Sequence, residues 1–284
     1  MIKPLIMKIK PRLKDTHKGT YGHVFILAGS AGMTGAAYLT STAALLSGSG
    51  LVTLGVPKGL NQVMEEKLVE VMTKPLPQTS AGTLSTHALP AIREFIKKAD
   101  VVAIGPGLSG HRETKVLVRR LVTTLDKKFV LDADGINAFK GAASLLKKVK
   151  AEFVITPHPG EMSRLTGISI SSIQRDRKGV AKKAAKLYNC ITVLKGSSTV
   201  VASPKGEVYI NETGNPGMAT GGVGDILTGI IASLMGQGLE PFGAAKLGVY
   251  VHGRAGDLAV REKGEISLIA TDLLNKLPEV FRKL

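Results

Sequence analysis

Six short apolar runs recur along the chain with helix-length stretches between them, and this alternation limits the fold more than any other feature. The runs lie at 23–28, 51–56, 101–104, 129–132, 153–156 and 192–195, and most end at Gly, Pro or Asp. They are continuously apolar, with none of the in–out alternation of a strand wetted on one face. Such runs belong to strands covered on both faces. Between them, 35–46, 86–97, 111–125 and 171–187 have the length and pattern of helices. Strand, helix, strand in repetition predicts an α/β fold, a three-layer α/β/α sandwich around a mainly parallel central sheet. Beyond the last run, 199–202 and 208–210 read as a hairpin, and 221–235, 241–261 and 267–275 as helices. With no linker, repeat or low-complexity tract, 21–284 reads as a single domain preceded by a basic arm at 1–20. In such sheets ligands sit beyond the carboxyl ends of the strands.

Charge narrows the partners. Lys and Arg number 38 against 22 Asp and Glu, a net charge of +16, which favours anionic ligands. Aromatic residues are only 4% and Trp is absent, so stacking platforms for single-stranded nucleic acid are poorly supplied. The basic residues are dispersed, densest in the arm (Lys3, Lys8, Lys10, Arg12, Lys14, Lys18), which reads as a solvated terminus. No nucleic-acid partner is expected. Residues 19–57 lack Lys, Arg, Asp and Glu, but the glycines and hydroxyl residues within them suit a buried helix and strand and argue against a membrane span. Cys190 is the lone cysteine, so neither a disulfide nor a cysteine-rich zinc site is available. With no apolar stretch of signal-peptide length at the start, the chain reads as cytoplasmic.

The strongest local signal is Thr213-Gly-Asn-Pro-Gly-Met-Ala-Thr-Gly-Gly-Val-Gly-Asp225, opening into an apolar helix. So many glycines cost backbone entropy unless the chain must bend or approach a ligand. A glycine-rich loop entering a helix presents free N–H groups, a cradle for phosphate. Asp225 either satisfies the helix start or, beside an anion, serves as a general base. In Leu194-Lys-Gly-Ser-Ser-Thr199, Lys195 and the hydroxyls suit a nucleotide phosphate or ribose, or else form a plain turn; the Walker spacing is absent. In Thr156-Pro-His-Pro-Gly-Glu161, His158 and Glu161 either face one crevice or simply start a helix. Gly105-Pro-Gly107-Leu-Ser-Gly110 fits the dinucleotide fingerprint, with Asp132 and Asp134 about 20 residues on. Lying after two earlier strand–helix units, it reads better as a second loop of close backbone approach. The small-residue loop 28–37 suits close packing or binding equally. No His-Glu-x-x-His and no Gly-x-Ser-x-Gly is present.

These segments, taken in order from His17-Lys-Gly-Thr-Tyr-Gly22 to His252-Gly-Arg-Ala-Gly256 and including Leu131-Asp-Ala-Asp-Gly-Ile-Asn137, resemble the ADP/ATP-dependent NAD(P)H-hydrate dehydratase family of the ribokinase-like superfamily. The resemblance implies a ribokinase-like fold and a cofactor-repair lyase. Such an enzyme dehydrates the C6 hydrate of NADH or NADPH by phosphorylating its hydroxyl from ADP or ATP, with ADP the expected donor, and eliminating phosphate. It further implies Asp225 as base, with the N–H groups of Gly222 to Gly224 stabilising the transferred phosphoryl. Lys195, Gly196, Ser197, Ser198, Thr199 and Gly224 would line the nucleotide site, and Ala36, Gly107, His158 and Asp225 the hydrate site. Mg²⁺ is implied with the nucleotide, its direct ligands unassigned: Glu161 stands at the carboxylate of the related kinases' Asn-x-x-Glu, with His158 in place of Asn. A homotetramer and a separate NAD(P)H-hydrate epimerase as functional partner are also expected, since no epimerase domain fits before Tyr21. The nearest rival is a vitamin-precursor kinase of the same fold; a Rossmann oxidoreductase built on Gly105–Gly110 and a non-catalytic nucleotide sensor are the others.

Overall fold

The structure, a computed structural model, describes residues 2–6, 9 and 11–284. Nine strands form one sheet: β1 (His23–Leu27), β2 (Leu51–Pro57), β3 (Met72–Leu76), β4 (Val101–Ile104), β5 (Lys128–Leu131), β6 (Phe153–Ile155), β7 (Ile191–Leu194), β8 (Val200–Ala202) and β9 (Val208–Ile210). Their order is β3-β2-β1-β4-β5-β6-β7-β8-β9. The pairs from β3 through β7 are parallel, and β8 and β9 close the far edge antiparallel as the expected hairpin.

Period-two geometry sends alternate side chains of each run to opposite faces, which explains why the runs are apolar throughout. Val24 and Ile26 of β1 and Val101 and Ala103 of β4 join one core with the helices Thr34–Leu46, Val223–Gly236, Pro241–Lys263 and Ala270–Arg282. Phe25, Leu27, Val102 and Ile104 point the other way, into a second core under the helices Leu89–Ile96, Arg112–Val122, Pro159–Thr166 and Arg177–Tyr188. On that face Phe129 and Phe153 stack with centroids 4.8 Å apart. The result is the three-layer α/β/α sandwich.

Several boundaries differ from the sequence reading. Strand β3, Met-Thr-Lys-Pro-Leu, is absent from that reading because it is an edge strand. Lys74 and Pro75 interrupt any apolar run, as edges commonly require. The single helix expected at 171–187 is two, Ile170–Arg175 and Arg177–Tyr188. Asp176 breaks it with a non-helical backbone and caps the second half by accepting from the Gly179 N–H (2.8 Å). Residues 86–97 divide into the 3₁₀ turn Thr86–Ala88 and the helix Leu89–Ile96, and the last helix begins later and runs further than expected, Ala270–Arg282, through Pro278. The amino-terminal arm is not simply solvated: Ile2, Leu5, Ile6 and Ile9 pack against the first core, and Arg12 stacks over the Tyr21 ring at 3.8 Å. Lys8 and Lys10 lie outside the described residues.

The sheet runs outward in one direction from β1 through β2 and β3, and in the other from β4 onward. The loops after β1 and β4 therefore part at a topological switch point, where open α/β sheets bind ligands. Here the two loops are tied together. The Gly29 N–H donates to Pro106 (2.8 Å), and the Ser30 hydroxyl donates to the Gly107 carbonyl (2.8 Å).

Candidate active site

The helix Val223–Gly236 starts at Gly222, whose φ of 87° is left-handed and accessible to glycine at no steric cost. A Cβ there would also stand 2.5 Å from Leu39 Cδ1. The turn places the N–H groups of Val223 and Gly224 at the helix start, where they have no intrahelical acceptor and where the helix dipole is positive. From beneath, His252 fixes this turn by donating from Nε2 to the Val223 carbonyl (2.8 Å). Burial pushes the His252 pKa down to about 4, so the ring is a neutral donor.

Asp225 occupies the third position of the helix, half-buried, and makes no side-chain hydrogen bond among the described residues. It therefore caps no N–H of the helix start, although it stands in the first helical turn. Burial, reinforced by Asp132 and opposed by Lys195, raises its pKa to about 7. Lys195, at the end of β7, reaches across to this turn. Its Nζ bonds Asp132 Oδ1 at 2.6 Å, lies 3.6 Å from Glu161 Oε2, and would sit 3.3 Å from a Cβ on Gly224. Burial alone would discharge the ammonium, but Asp132 and Glu161 outweigh it and hold the pKa above the usual lysine value. Asp132 is itself buried at the end of β5, and its other oxygen accepts from the Thr228 hydroxyl (2.7 Å).

His158 and Glu161 do both things the sequence left open. They start the helix Pro159–Thr166 as a reciprocal cap: the Gly160 N–H donates to His158 Nδ1 (3.0 Å) and the His158 N–H to Glu161 Oε2 (2.8 Å). They also border the charged cluster. Accepting at Nδ1 leaves the His158 hydrogen on Nε2, 3.4 Å from Glu161 Oε1. Burial, with help from Lys195 and Arg164, lowers the His158 pKa. Burial likewise raises that of Glu161, with Lys195 opposing.

After Lys195, residues Gly196, Ser197 and Ser198 form an exposed turn between β7 and β8, and the Thr199 hydroxyl closes it onto the Gly196 carbonyl (2.9 Å). The Arg177 guanidinium braces this turn by donating to the Leu194 carbonyl (3.0 Å). Gly107 has a φ of 62° and packs so closely on the Thr34–Leu46 helix that a Cβ would meet Ala36 Cβ at 2.9 Å. Asp134 holds this loop by accepting from the Ser109 N–H (2.8 Å). That use, and the pairing of Asp132 with Lys195, leave neither carboxylate for the ribose of a Rossmann-type site. Gly105 to Gly110 is thus a loop of close approach.

Lys195, Gly224 and Asp225 are therefore brought together, and Ala36 is brought to Gly107. The sequence reading gave no role to Thr228, His252 or Arg177, and it used Asp132 and Asp134 only for the fingerprint and, like His252, within a segment that carries the resemblance. Their signal was spatial: each meets its partner on another part of the chain, from 17 to 96 residues away. Among the described residues no group of three His, Cys, Asp or Glu side chains could hold a metal ion. With both Asp132 oxygens committed and Glu161 engaged by the His158 N–H, the chain builds no cage for Mg²⁺, which fits only an ion carried by nucleotide phosphates.

Known proteins sharpen this geometry. The chain is 50% identical over 268 residues to the bifunctional NAD(P)H-hydrate repair enzyme of Moorella thermoacetica, covering 94% of this chain and 51% of that protein. It is 37% identical over 260 residues to an ADP-dependent (S)-NAD(P)H-hydrate dehydratase of Neisseria meningitidis, covering 90% of this chain and 83% of that one. The chain spans about half the length of the bifunctional relatives it matches. A Bacillus subtilis ADP/ATP-dependent NAD(P)H-hydrate dehydratase, co-crystallised with ATP/Mg²⁺, superposes with a TM-score of 0.83 at 30% identity, covering 100% of this chain and 97% of that one. A Thermotoga maritima ribokinase, 13% identical with a TM-score of 0.55 over 93% of this chain and 100% of its own, shares the fold alone, which is ribokinase-like. A family model for NAD(P)H-hydrate dehydratase matches residues 24–279, and the chain belongs to that family.

Proposed function

We propose that this chain dehydrates the C6-hydrated form of NADH or NADPH back to the reduced dinucleotide, at the expense of a nucleotide with ADP as the preferred donor. The observation that carries the reading is Asp225, a half-buried carboxylate with a pKa of about 7 beside the open helix turn and Lys195. Hydroxide is a poor leaving group and phosphate a good one. Asp225 takes the proton of the C6 hydroxyl, whose oxygen attacks the terminal phosphorus of the donor and releases AMP from ADP. The N–H groups of the Gly222–Gly224 turn and the Lys195 ammonium stabilise the charge on the phosphoryl in transit. The ring nitrogen's lone pair then expels phosphate from C6, and loss of a proton from the neighbouring carbon restores the dihydropyridine. Gly196 to Thr199 hold the donor, and Ala36, Gly107 and His158 border the hydrate. Mg²⁺ would accompany the donor's phosphates.

The homotetramer and an epimerase partner that interconverts the hydrate's two epimers belong to the same proposal, as does work in the cytoplasm. No helix among the described residues is long and apolar enough to cross a membrane.

The test mixes the protein with NADPH hydrate, Mg²⁺ and either ADP or ATP, and follows the near-ultraviolet absorbance of the reduced nicotinamide. A nucleotide-dependent return of absorbance, with one AMP and one phosphate per turnover on ADP, is expected. A phosphorylated product with no absorbance regained would instead make the chain a kinase.

Because the reacting form of Asp225 is deprotonated, kcat/KM for the hydrate should rise about tenfold per pH unit on the acid side and level off above about 7. A profile flat from pH 5 to 8 would remove Asp225 as base.

A further inference from the structure

Beside the site described above, a groove of about 590 Å³ runs between the helices Arg112–Val122 and Pro159–Thr166 and is lined by Lys115, Arg119, Asn137, Lys140, Gly141 and Arg164 among others. It holds four cations, with no Asp or Glu among the described residues lining it. None of the four takes part in an ion pair among the described residues. Two are set in place by neutral acceptors: Arg119 donates from Nε to the Ala138 carbonyl (2.5 Å) and from Nη2 to the Lys140 carbonyl (3.3 Å), and Arg164 donates from Nε to Asn137 Oδ1 (2.7 Å). Each guanidinium therefore keeps donors to offer to an anion. In volume the groove matches pockets that take small ligands, and its charge selects against neutral ones.

Its placement says more. Lys115 lies on the helix that follows the Gly107 loop, with Nζ 3.8 Å from a Cβ built on Gly110. Arg164 lies on the helix that His158 begins, with Nη1 3.5 Å from a Cβ built on Gly160. The Arg164 charge is felt at both His158 and Glu161. A continuous set of hydrogen bonds joins the two places: the Ser109 N–H to Asp134, Asn137 to Asp134 (3.3 Å), and Arg164 to Asn137. The groove thus continues the two loops that border the hydrate, and none of its lining residues belongs to the Gly196–Thr199 turn assigned to the donor.

We propose that this groove binds the phosphate-bearing adenosine half of the hydrated dinucleotide, with Arg119 and Arg164 as its directional contacts. The inference rests on the substrate reading above. Guanidinium groups held by their Nε present the remaining N–H groups to phosphate oxygens in a fork. NADPH hydrate carries a 2′-phosphate that NADH hydrate lacks, so four uncompensated cations favour the NADPH form.

The test is steady-state kinetics of the full chain and of the double variant Lys115→Gln/Arg164→Gln, with both hydrates at saturating ADP. KM for NADPH hydrate is expected to rise about tenfold or more and KM for NADH hydrate to rise less, the loss lying in KM rather than kcat. KM for ADP should stay within about twofold, which also reports an intact fold. An equal rise for the two hydrates would support the groove with the pyrophosphate as its contact. Adenosine 2′,5′-bisphosphate distinguishes substrate from a free anionic effector. Competition with the hydrate, weakened in the variant, supports the proposal, and non-competitive inhibition overturns it. Unchanged KM values for both hydrates, or a rise confined to ADP, also overturn it. If the unmodified chain returns no absorbance with either hydrate, the substrate reading fails first, and the groove is not what failed.

Discussion

The Asp225→Asn protein is expected to turn over about 10²–10⁴-fold more slowly than the unmodified chain, with ADP affinity by calorimetry little changed. Asn has the size of Asp and the same place at the helix start, but it cannot accept the hydroxyl proton. A second effect of the same change runs the other way. The Asp225 carboxyl is held above its ordinary range, at about 7 against 3.8, mainly by burial and then by Asp132. A group whose pKa is raised on folding contributes no penalty below its unfolded value; its ionisation then costs progressively more stability up to the folded value. The Asp225→Asn protein should therefore melt with the unmodified chain near pH 4, above it by pH 7, and by a constant margin beyond. Asp225 is half-exposed, so solvent screening cuts the full shift to on the order of 1–2 kcal/mol, with about 2–4 °C per kcal/mol in a domain of this size. Slower and more stable at neutral pH is the signature of a strained functional group. If turnover fell and the melting point fell with it at every pH, Asp225 would be a structural residue instead.

The fold was legible where burial on both faces left a continuous apolar run, as in β1 and β4 to β7. It was not legible at β3, where an edge strand needs Lys74 and Pro75 more than apolar residues. Nor was it in the amino-terminal arm, where lysines interleaved with Ile2, Leu5, Ile6 and Ile9 hid an apolar face that packs on the core. The site divides in the same way. Glycine clusters are visible because they are costly without a reason, so the 213–225 loop and Gly105 to Gly110 stood out. The charged lock around Lys195 was invisible because its partners are far apart in sequence: Asp132 is 63 residues away, and Thr228 is 96 from Asp132. The basic groove is hidden for the same reason, its cations coming from two helices and the loop at Lys140.

Replacing Lys195 with Met is expected to destabilise the fold by about 3–5 kcal/mol, the usual consequence of removing one partner of a buried pair. Met fills the same volume, so the loss is electrostatic. Asp132 would keep its bond to the Thr228 hydroxyl but lose the ammonium at 2.6 Å, and its carboxylate, only 1% exposed, would face Glu161 and Asp225 without compensation. That reasoning makes three separable demands. The double variant Lys195→Met/Asp132→Asn should recover much of the lost stability, because it removes the stranded charge as well as its partner. Lys195 also opposes the rise in the Asp225 pKa, so in Lys195→Met the acid limb of kcat/KM should move above pH 7. KM for ADP should climb by about tenfold or more, since the ammonium at Gly224 is the cation nearest the open helix turn. The stability loss alone would leave Lys195 a structural residue. Loss of ADP binding with the acid limb moved makes the one side chain both the lock between β5 and β7 and the charge that prepares the phosphoryl site.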